Sequence, residues 1–248
     1  MTDGVAGGVA GGATALVVQN TVSGDLGRWA GWLAEGGLGA EVVRAYEPGA
    51  RVPDELTSYA ALVVLGGGFL PDEDERAPWL RPVRALVAQA LTDQVPVFGI
   101  CLGGQMLAQV AGGAVEGRSG EPEFGSTRLA LRAEAARDPL FRDLPQRPTA
   151  IENHVDRIVR LPAGASWLAS SERCPYQAFR VGSRAWGVQF HPEAAADRLT
   201  RWDPARLTPH GLDRGALHHR ALADEPESAR VWRDVALRFA ALASGRQD

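Results

Sequence analysis

Around Cys101 the sequence reads Pro96-Val97-Phe98-Gly99-Ile100-Cys101-Leu102-Gly103-Gly104-Gln105-Met106-Leu107, an apolar, strand-forming run that passes through Gly-x-Cys-x-Gly into helix-forming residues. A sharp strand-to-helix turn of this kind lifts a nucleophile above a sheet, and glycines flank it because a Cβ on either side crowds the turn. The turn also sets the thiol at a helix N-terminus, where free N–H groups and the helix dipole favour thiolate over thiol. Taken alone, such a cysteine reads equally well as a small buried hydrophobe. Cys174 has no such surroundings and reads as structural.

A thiolate nucleophile needs a base, and the base needs a group that holds its tautomer. The segment Trp186-Gly187-Val188-Gln189-Phe190-His191-Pro192-Glu193 supplies both. Residues two apart in an extended segment face the same side, so Glu193 can reach the imidazole of His191, with Pro192 stiffening the backbone between them. One imidazole nitrogen is then left to face Cys101. Together these residues can perform acyl transfer through a thioester.

The elements that must position them follow an alternating pattern. Thr14 to Gln19 is a short apolar, β-branched run, followed by a helical pattern through Trp29, Trp32 and Leu33. Further apolar runs cover Glu41 to Tyr46, Ala60 to Leu65 and Val95 to Ile100, with a helical stretch from about Ala77 to Leu91 before the last. Strands alternating with helices predict an α/β fold with an open, mostly parallel central sheet covered by helices on both faces. Such sheets bind ligands at the carboxyl ends of their strands, where Cys101 would stand.

Beyond Gly113 the pattern changes to short strand-like segments: Arg128 to Arg132, Arg157 to Leu161, Ser166 to Ala169, Gln177 to Val181 and Ala185 to Phe190. These are expected to add antiparallel strands to the same sheet. The tail from Ala194 onward reads as helical, notably Ser228 to Leu242. Residues 1–13, rich in Gly and Ala, read as a disordered tail, and 14–248 as a single domain with 194–248 as its helical C-terminal extension.

Composition excludes several chemistries. All 26 basic residues are arginine, so the lysine of a phosphate-binding loop and the lysine amine of Schiff-base or pyridoxal chemistry are absent. A formal charge of -4 leaves no electrostatic footprint for nucleic acid. No apolar run approaches the roughly 20 residues that span a bilayer. The 2 cysteines form no disulfide framework, which fits a reducing cytoplasm. No His, Cys and carboxylate set has zinc spacing, and the acidic run Asp72 to Glu75 reads as a solvated turn, so neither metal nor cofactor is expected.

Gly99-Ile100-Cys101-Leu102-Gly103-Gly104-Gln105 with His191-Pro192-Glu193 resembles the class I glutamine amidotransferases, in which GxCxGxQ and a later HPE carry the triad. Val64-Leu65-Gly66-Gly67-Gly68 resembles the family's oxyanion strand, and Gln177-Ala178-Phe179 with Trp186 to Glu193 resembles its GMP-synthase-like branch. The resemblance implies a flavodoxin-like sheet, Cys101 as nucleophile, His191 as acid and base, and Glu193 as its orienting partner. It implies backbone N–H groups of Gly67 and Leu102 as the oxyanion hole. Gln105, Gly68, Asn153, His154 and Val155 would bind the substrate, although Val155 stands where the family commonly has glycine.

The implied reaction is hydrolysis of the glutamine side-chain amide to glutamate and ammonia, the ammonia passing to a separate acceptor synthetase. A γ-glutamyl peptidase acting on γ-glutamyl amides shares the same triad, and a non-catalytic small-amide sensor is a third reading. Activity that falls at low pH as His191 and the thiolate take up protons is expected from such a pair.

Overall fold

The computed structural model describes residues 12–245. The expected tail lies outside the described residues except for Gly12 and Ala13, and the Ala13 carbonyl already accepts a hydrogen bond from the Gly39 N–H at 2.8 Å.

The first half builds elements of the expected kind around β1 (Thr14–Gln19). It pairs in parallel with β2 (Gly39–Arg44) on one side and β3 (Ala61–Val64) on the other, and β3 pairs in parallel with β4 (Val97–Ile100). The helices between them are α1 (Trp29–Glu35), α2 (Leu80–Asp93) and α3 (Leu102–Val110). Alternate strand residues face opposite layers. Ala15, Val17, Ala61, Val63 and Phe98 pack toward α1, whereas Leu16, Val18, Leu62, Val64 and Val97 pack toward α2 and α3. Burial of both faces is why β1, β3 and β4 read as continuous apolar runs, whereas β2 at the sheet edge is largely exposed.

The second half departs from expectation in its pairing. Strands β10 (Ser166–Ser170), β11 (Ala178–Val181) and β12 (Ala185–Val188) join the central sheet, β12 parallel to β4 and the others antiparallel. The expected strand Arg128 to Arg132 is instead two pieces, β6 (Glu123–Arg128) and β7 (Ala130–Leu131), and only β7 reaches the central sheet, at its edge against β10. The sheet order is therefore β2-β1-β3-β4-β12-β11-β10-β7. Strand β6 leaves it to pair antiparallel with β8 (Thr149–His154), and β5 (Ala114–Glu116) pairs with β9 (Arg157–Arg160) in a second separate ribbon. Sequence reading missed β8 and the start of β6 because their buried apolar residues Phe124, Ala150 and Ile151 are interrupted by the buried polar residues Glu123, Glu152 and His154, so neither strand shows a continuous apolar run.

After His191 the chain makes three short 3-10 turns, Ala196–Arg201, Pro204–Arg206 and Thr208–His210, before α4 (Arg214–Ala243). Pro204 and Pro209 interrupt any longer helix here, and the Asp213 side chain caps α4 by accepting the Ala216 N–H at 2.8 Å. Trp232 and Phe239 of α4 close the α1 layer: Phe98 lies 4.4 Å from Trp29 and 5.5 Å from Phe239 between ring centroids, and Trp232 lies 4.6 Å from Phe190. Among the described residues no helix is long and apolar enough to cross a membrane.

Candidate active site

Cys101 occupies the step from β4 to α3 with φ 51° and ψ -107°, a conformation that L residues adopt only under strain of about 1–3 kcal/mol. Its backbone is locked on both sides: the Cys101 N–H donates to the Val188 carbonyl at 2.8 Å, and the Cys101 carbonyl accepts from Gln105 N–H at 2.9 Å. The neighbouring glycines are needed for a closer reason than the turn alone. A Cβ at Gly99 would lie 2.4 Å from the Gly103 carbonyl oxygen, and one at Gly103 only 2.0 Å from that of Val64. Glycine thus lets α3 rest directly on the ends of β3 and β4, holding Cys101 above the sheet.

His191 reaches the same place because β12 is the parallel neighbour of β4, with Val188 opposite Ile100. The backbone of His191 is anchored by donation to the Ile151 carbonyl at 2.8 Å. Its Nδ1 lies 2.7 Å from Glu193 Oε1, the pairing expected across two residues of extended chain. Glu193 is almost fully buried, with Arg198 Nη1 3.6 Å from the same oxygen. Burial alone would lower the His191 pKa, but the Glu193 charge, together with Cys101 and the hydrogen bond to Glu193, holds the imidazole well above its ordinary value.

The turn Gly66-Gly67-Gly68 after β3 lies against this pair. A Cβ on Gly66 would sit 2.9 Å from His191 Cε1 and 3.5 Å from Cys101 Cβ, and one on Gly67 would meet Leu102 Cδ2 at 2.8 Å. The 66–68 turn and the start of α3 therefore stand side by side at the site. The Leu102 N–H, at the first position of α3, has no acceptor within its own helix.

Cys101, His191, residues 66–68, Gln105 and residues 153–156 line one cleft of about 550 Å³. This unites Gly68, Asn153, His154 and Val155 with the cysteine, as expected of a substrate pocket. Gln105 is buried, and its Nε2 donates to the Asp156 carbonyl and to Gln189 Oε1, each at 3.2 Å. Sequence reading singled out Gln105 but passed over Gln189, whose Nε2 lies 3.6 Å from Cys101 Sγ. The period-2 rule that joined His191 to Glu193 also joins Gln189 to His191 and was the available signal.

His154 has a separate set of partners. Its Nδ1 faces the Asp156 carbonyl at 3.1 Å, and its Nε2 lies 3.3 Å from both Glu123 Oε2 and Glu152 Oε2. Glu123 Oε2 also accepts from Gln177 Nε2 at 2.7 Å and Ser171 Oγ at 2.9 Å. Burial would lower His154, yet the hydrogen bonds to Glu123 and Glu152 overcome it and raise the imidazolium to about 10. Both ring nitrogens thus face acceptors, the arrangement of a charged imidazolium. Glu152 has no described partner besides His154, and burial pushes its carboxyl up to about 7.

Glu123, His154 and Cys174 also bring an oxygen, a nitrogen and a sulfur within 4.8 Å of one another. Burial pushes the Cys174 thiol up to about 12. The group is accounted for as a buried ion pair with its hydrogen-bond donors.

The profile of the family "Glutamine amidotransferase class-I" matches residues 31–202. The glutamine-hydrolyzing GMP synthase subunit of Methanopyrus kandleri is 33% identical over 169 residues, 68% of this chain and 81% of that protein. The protein of the same name from Thermococcus kodakarensis is 41% identical over 102 residues, 41% of this chain and 52% of that protein. The match to the glutamine-hydrolyzing GMP synthase of Porphyromonas gingivalis, 33% identical, covers 58% of this chain and 26% of that longer protein. A crystal structure of a glutamine amidotransferase from Thermotoga maritima superposes with a TM-score of 0.81 at 27% identity, covering 92% of this chain and 98% of that one. The elbow, the sheet and these relatives agree, and the chain belongs to the class-I glutamine amidotransferases.

Proposed function

We propose that the chain hydrolyses the side-chain amide of glutamine through a γ-glutamyl thioester on Cys101, releasing glutamate and ammonia. The observation that carries this reading is a cysteine held at φ 51° on a strand-to-helix elbow, sharing its cleft with a histidine whose Nδ1 is fixed 2.7 Å from a buried carboxylate. The Cys101 sulfur attacks the carboxamide carbon, and the resulting oxyanion accepts from the N–H groups of Gly67 and Leu102. Each such donor stabilises the transition state by about 3 kcal/mol in comparable sites. The C–N bond breaks as His191 protonates the departing ammonia. Water then adds to the thioester, giving a proton back to His191, and the C–S bond breaks to release glutamate. Glu193 keeps the Nδ1–H in place throughout, and Gln105 and Gln189 stiffen the sulfur's surroundings.

The ammonia acceptor in this reading is a separate synthetase, a role suggested by relatives that are named as one subunit of a GMP synthase. Incubation with a chloroketone analogue of glutamine should attach one label to Cys101, and glutamine turnover should yield ammonia and glutamate in equal amounts. Folded protein whose Cys101 resists the reagent and which produces no ammonia would refute the reading.

The pH profile supplies a second test. A raised His191 pKa keeps the imidazolium, the proton donor to the amine, through neutral pH, and loses it as pH rises through the raised value. The limb due to His191 is therefore expected on the alkaline side of the kcat profile, well above pH 6.5, which revises the acid-side loss expected of His191 from the sequence, because the Glu193 and Cys101 charges around it hold its proton. A kcat profile with no alkaline-side loss above pH 6.5 would contradict this assignment.

A further inference from the structure

Behind the cleft, the segment His191-Pro192-Glu193 is gripped by a residue that stands outside the cleft lining. Arg28, at the entry to α1, reaches it twice: its backbone N–H donates to the Glu193 carbonyl and its Nε donates to the Pro192 carbonyl, each at 3.1 Å. The approach is so close that a Cβ on Gly27, where φ is 50°, would lie 2.3 Å from the Glu193 carbonyl oxygen. Residues of α4 aim the guanidinium. Its Nη1 donates to Glu225 Oε1 at 2.7 Å and its Nη2 to Ser228 Oγ at 3.3 Å. The second oxygen of Glu225 accepts the Ala196 N–H at 2.9 Å. One Arg–Glu pair therefore ties down the backbone on both sides of Glu193.

The Glu193 side chain depends on that backbone. Its Oε1 meets His191 Nδ1 at 2.7 Å, and its buried Oε2 has no hydrogen-bond partner among the described residues. The aim of the carboxylate is thus inherited from residues 192–196. The Arg28 side chain is only 11% exposed, and burial brings its pKa below the ordinary arginine value despite the nearby Glu225 and Glu193 charges. Joining α1 to α4 does not require a buried charge, because the exposed pair Arg233–Glu35 already links those helices. What the guanidinium adds is a planar fork that serves a carbonyl, a carboxylate and a hydroxyl at once.

We infer that Arg28 and Glu225 form a positioning clamp for the triad, setting the backbone from Pro192 to Ala196 so that Glu193 faces His191 Nδ1. The inference rests on the Cys101–His191–Glu193 reading and adds two positioning residues to it, neither of which lines the cleft. Releasing the clamp lets Glu193 turn away from the imidazole. Burial works against the His191 charge, and the Glu193 carboxylate is the foremost group that holds it. The other charged groups facing this pair are Cys101 at the start of α3, Glu152 on β8 and Arg198 on the 3-10 turn. None of them changes in the variants that follow.

The test uses the full chain with histidine labelled for nitrogen NMR, and follows the titration of the His191 ring, assigned with His191→Gln, beside kcat and KM for glutamine. In Arg28→Met the His191 midpoint should fall by about one pH unit or more toward 6.5. In the same protein kcat should fall about 10- to 100-fold while KM changes by less than about twofold. Glu225→Gln should move both readouts the same way, because an amide cannot accept from Arg28 and Ala196 on both of its sides. Arg28→Lys, which keeps the charge without the fork, should lie between Arg28→Met and the wild type. If Arg28→Met does not fold, these two variants decide the matter. Arg233→Gln, which removes the other link between α1 and α4, should leave both readouts at wild-type values. A lowered thermal midpoint with unmoved His191 titration and kcat would overturn the clamp and leave helix packing as the role of the pair. An equal shift in Arg233→Gln would overturn it too. Absence of ammonia from the wild type, with Cys101 unlabelled by the chloroketone, would overturn the amidase reading, and the His191 titration alone would then decide for or against the clamp.

Discussion

A Cys101→Ala protein should keep its fold and lose turnover by about 10⁶-fold in kcat, the loss seen when a triad nucleophile is removed. The reason for so large an effect is geometric. No other sulfur or hydroxyl among the described residues lining the cleft has the His191–Glu193 pair, the Gly66-Gly67-Gly68 turn and the α3 N-terminus around it at once. Alanine tolerates φ 51° no better and no worse than cysteine, so the backbone strain is carried over rather than relieved. Circular dichroism and the thermal midpoint should therefore match the wild type while ammonia release disappears. Turnover within tenfold of wild type would remove Cys101 from the nucleophile's role.

The second large effect is expected at His154, through stability. Removing its imidazolium leaves Glu123 and Glu152 face to face, both buried, the second with no other described partner. Breaking a buried pair in this way costs about 3–5 kcal/mol, so His154→Ala should unfold at markedly lower denaturant concentration. The sign of the pH dependence follows from the raised value. A histidine that titrates near 10 when folded and near 6.5 when unfolded contributes its full stabilisation below pH 6.5 and loses it as pH rises toward 10. Glu152 works in the same direction over a lower window: its folded value near 7 exceeds the unfolded 4.5, so its protonated form stabilises the fold at acid pH and that contribution falls between 4.5 and 7. Denaturation midpoints of the wild type should thus decline from mildly acidic to alkaline pH, and the decline between pH 7 and 10 should be smaller in His154→Ala. Equal pH slopes in the two proteins would show that His154 is not the group responsible.

The position of His154 connects that stability to the cleft. Asn153 and Val155 flank it in sequence and line the pocket, and its Nδ1 holds the Asp156 carbonyl that also receives Gln105. The valine that stands where the family commonly has glycine is accommodated in this wall, half-buried at the rim.

Much of the candidate site could be read without coordinates because its parts are local. The elbow is encoded within Gly99 to Gly103, and the His191–Glu193 contact spans two residues whose facing is set by the two-residue period of extended chain. The parallel half of the sheet was equally legible: strands buried on both faces must be apolar along their whole length, and Thr14–Gln19 and Val97–Ile100 are nearly so. Legibility failed where burial is polar. Glu123, Glu152 and His154 are buried in β6 and β8 beside Phe124, Ala150 and Ile151, so the hydrophobic pattern that marks a strand is broken in both, and their departure into a separate ribbon left no trace in the sequence.

The sequence by itself determined the turn that carries Cys101, the pairing of the histidine with its carboxylate and the class of sheet that supports them. Only the tertiary structure decided that Gln189 touches the sulfur, that His154 belongs to a buried ion pair, and that Arg28 and Glu225 meet at the backbone of the segment after His191. The physical reason is range. Backbone periodicity and glycine sterics act over a few residues and leave a pattern in the chain. Whether a polar side chain is partnered depends on groups that the sheet order and the turns after His191 bring together from distant parts of the sequence.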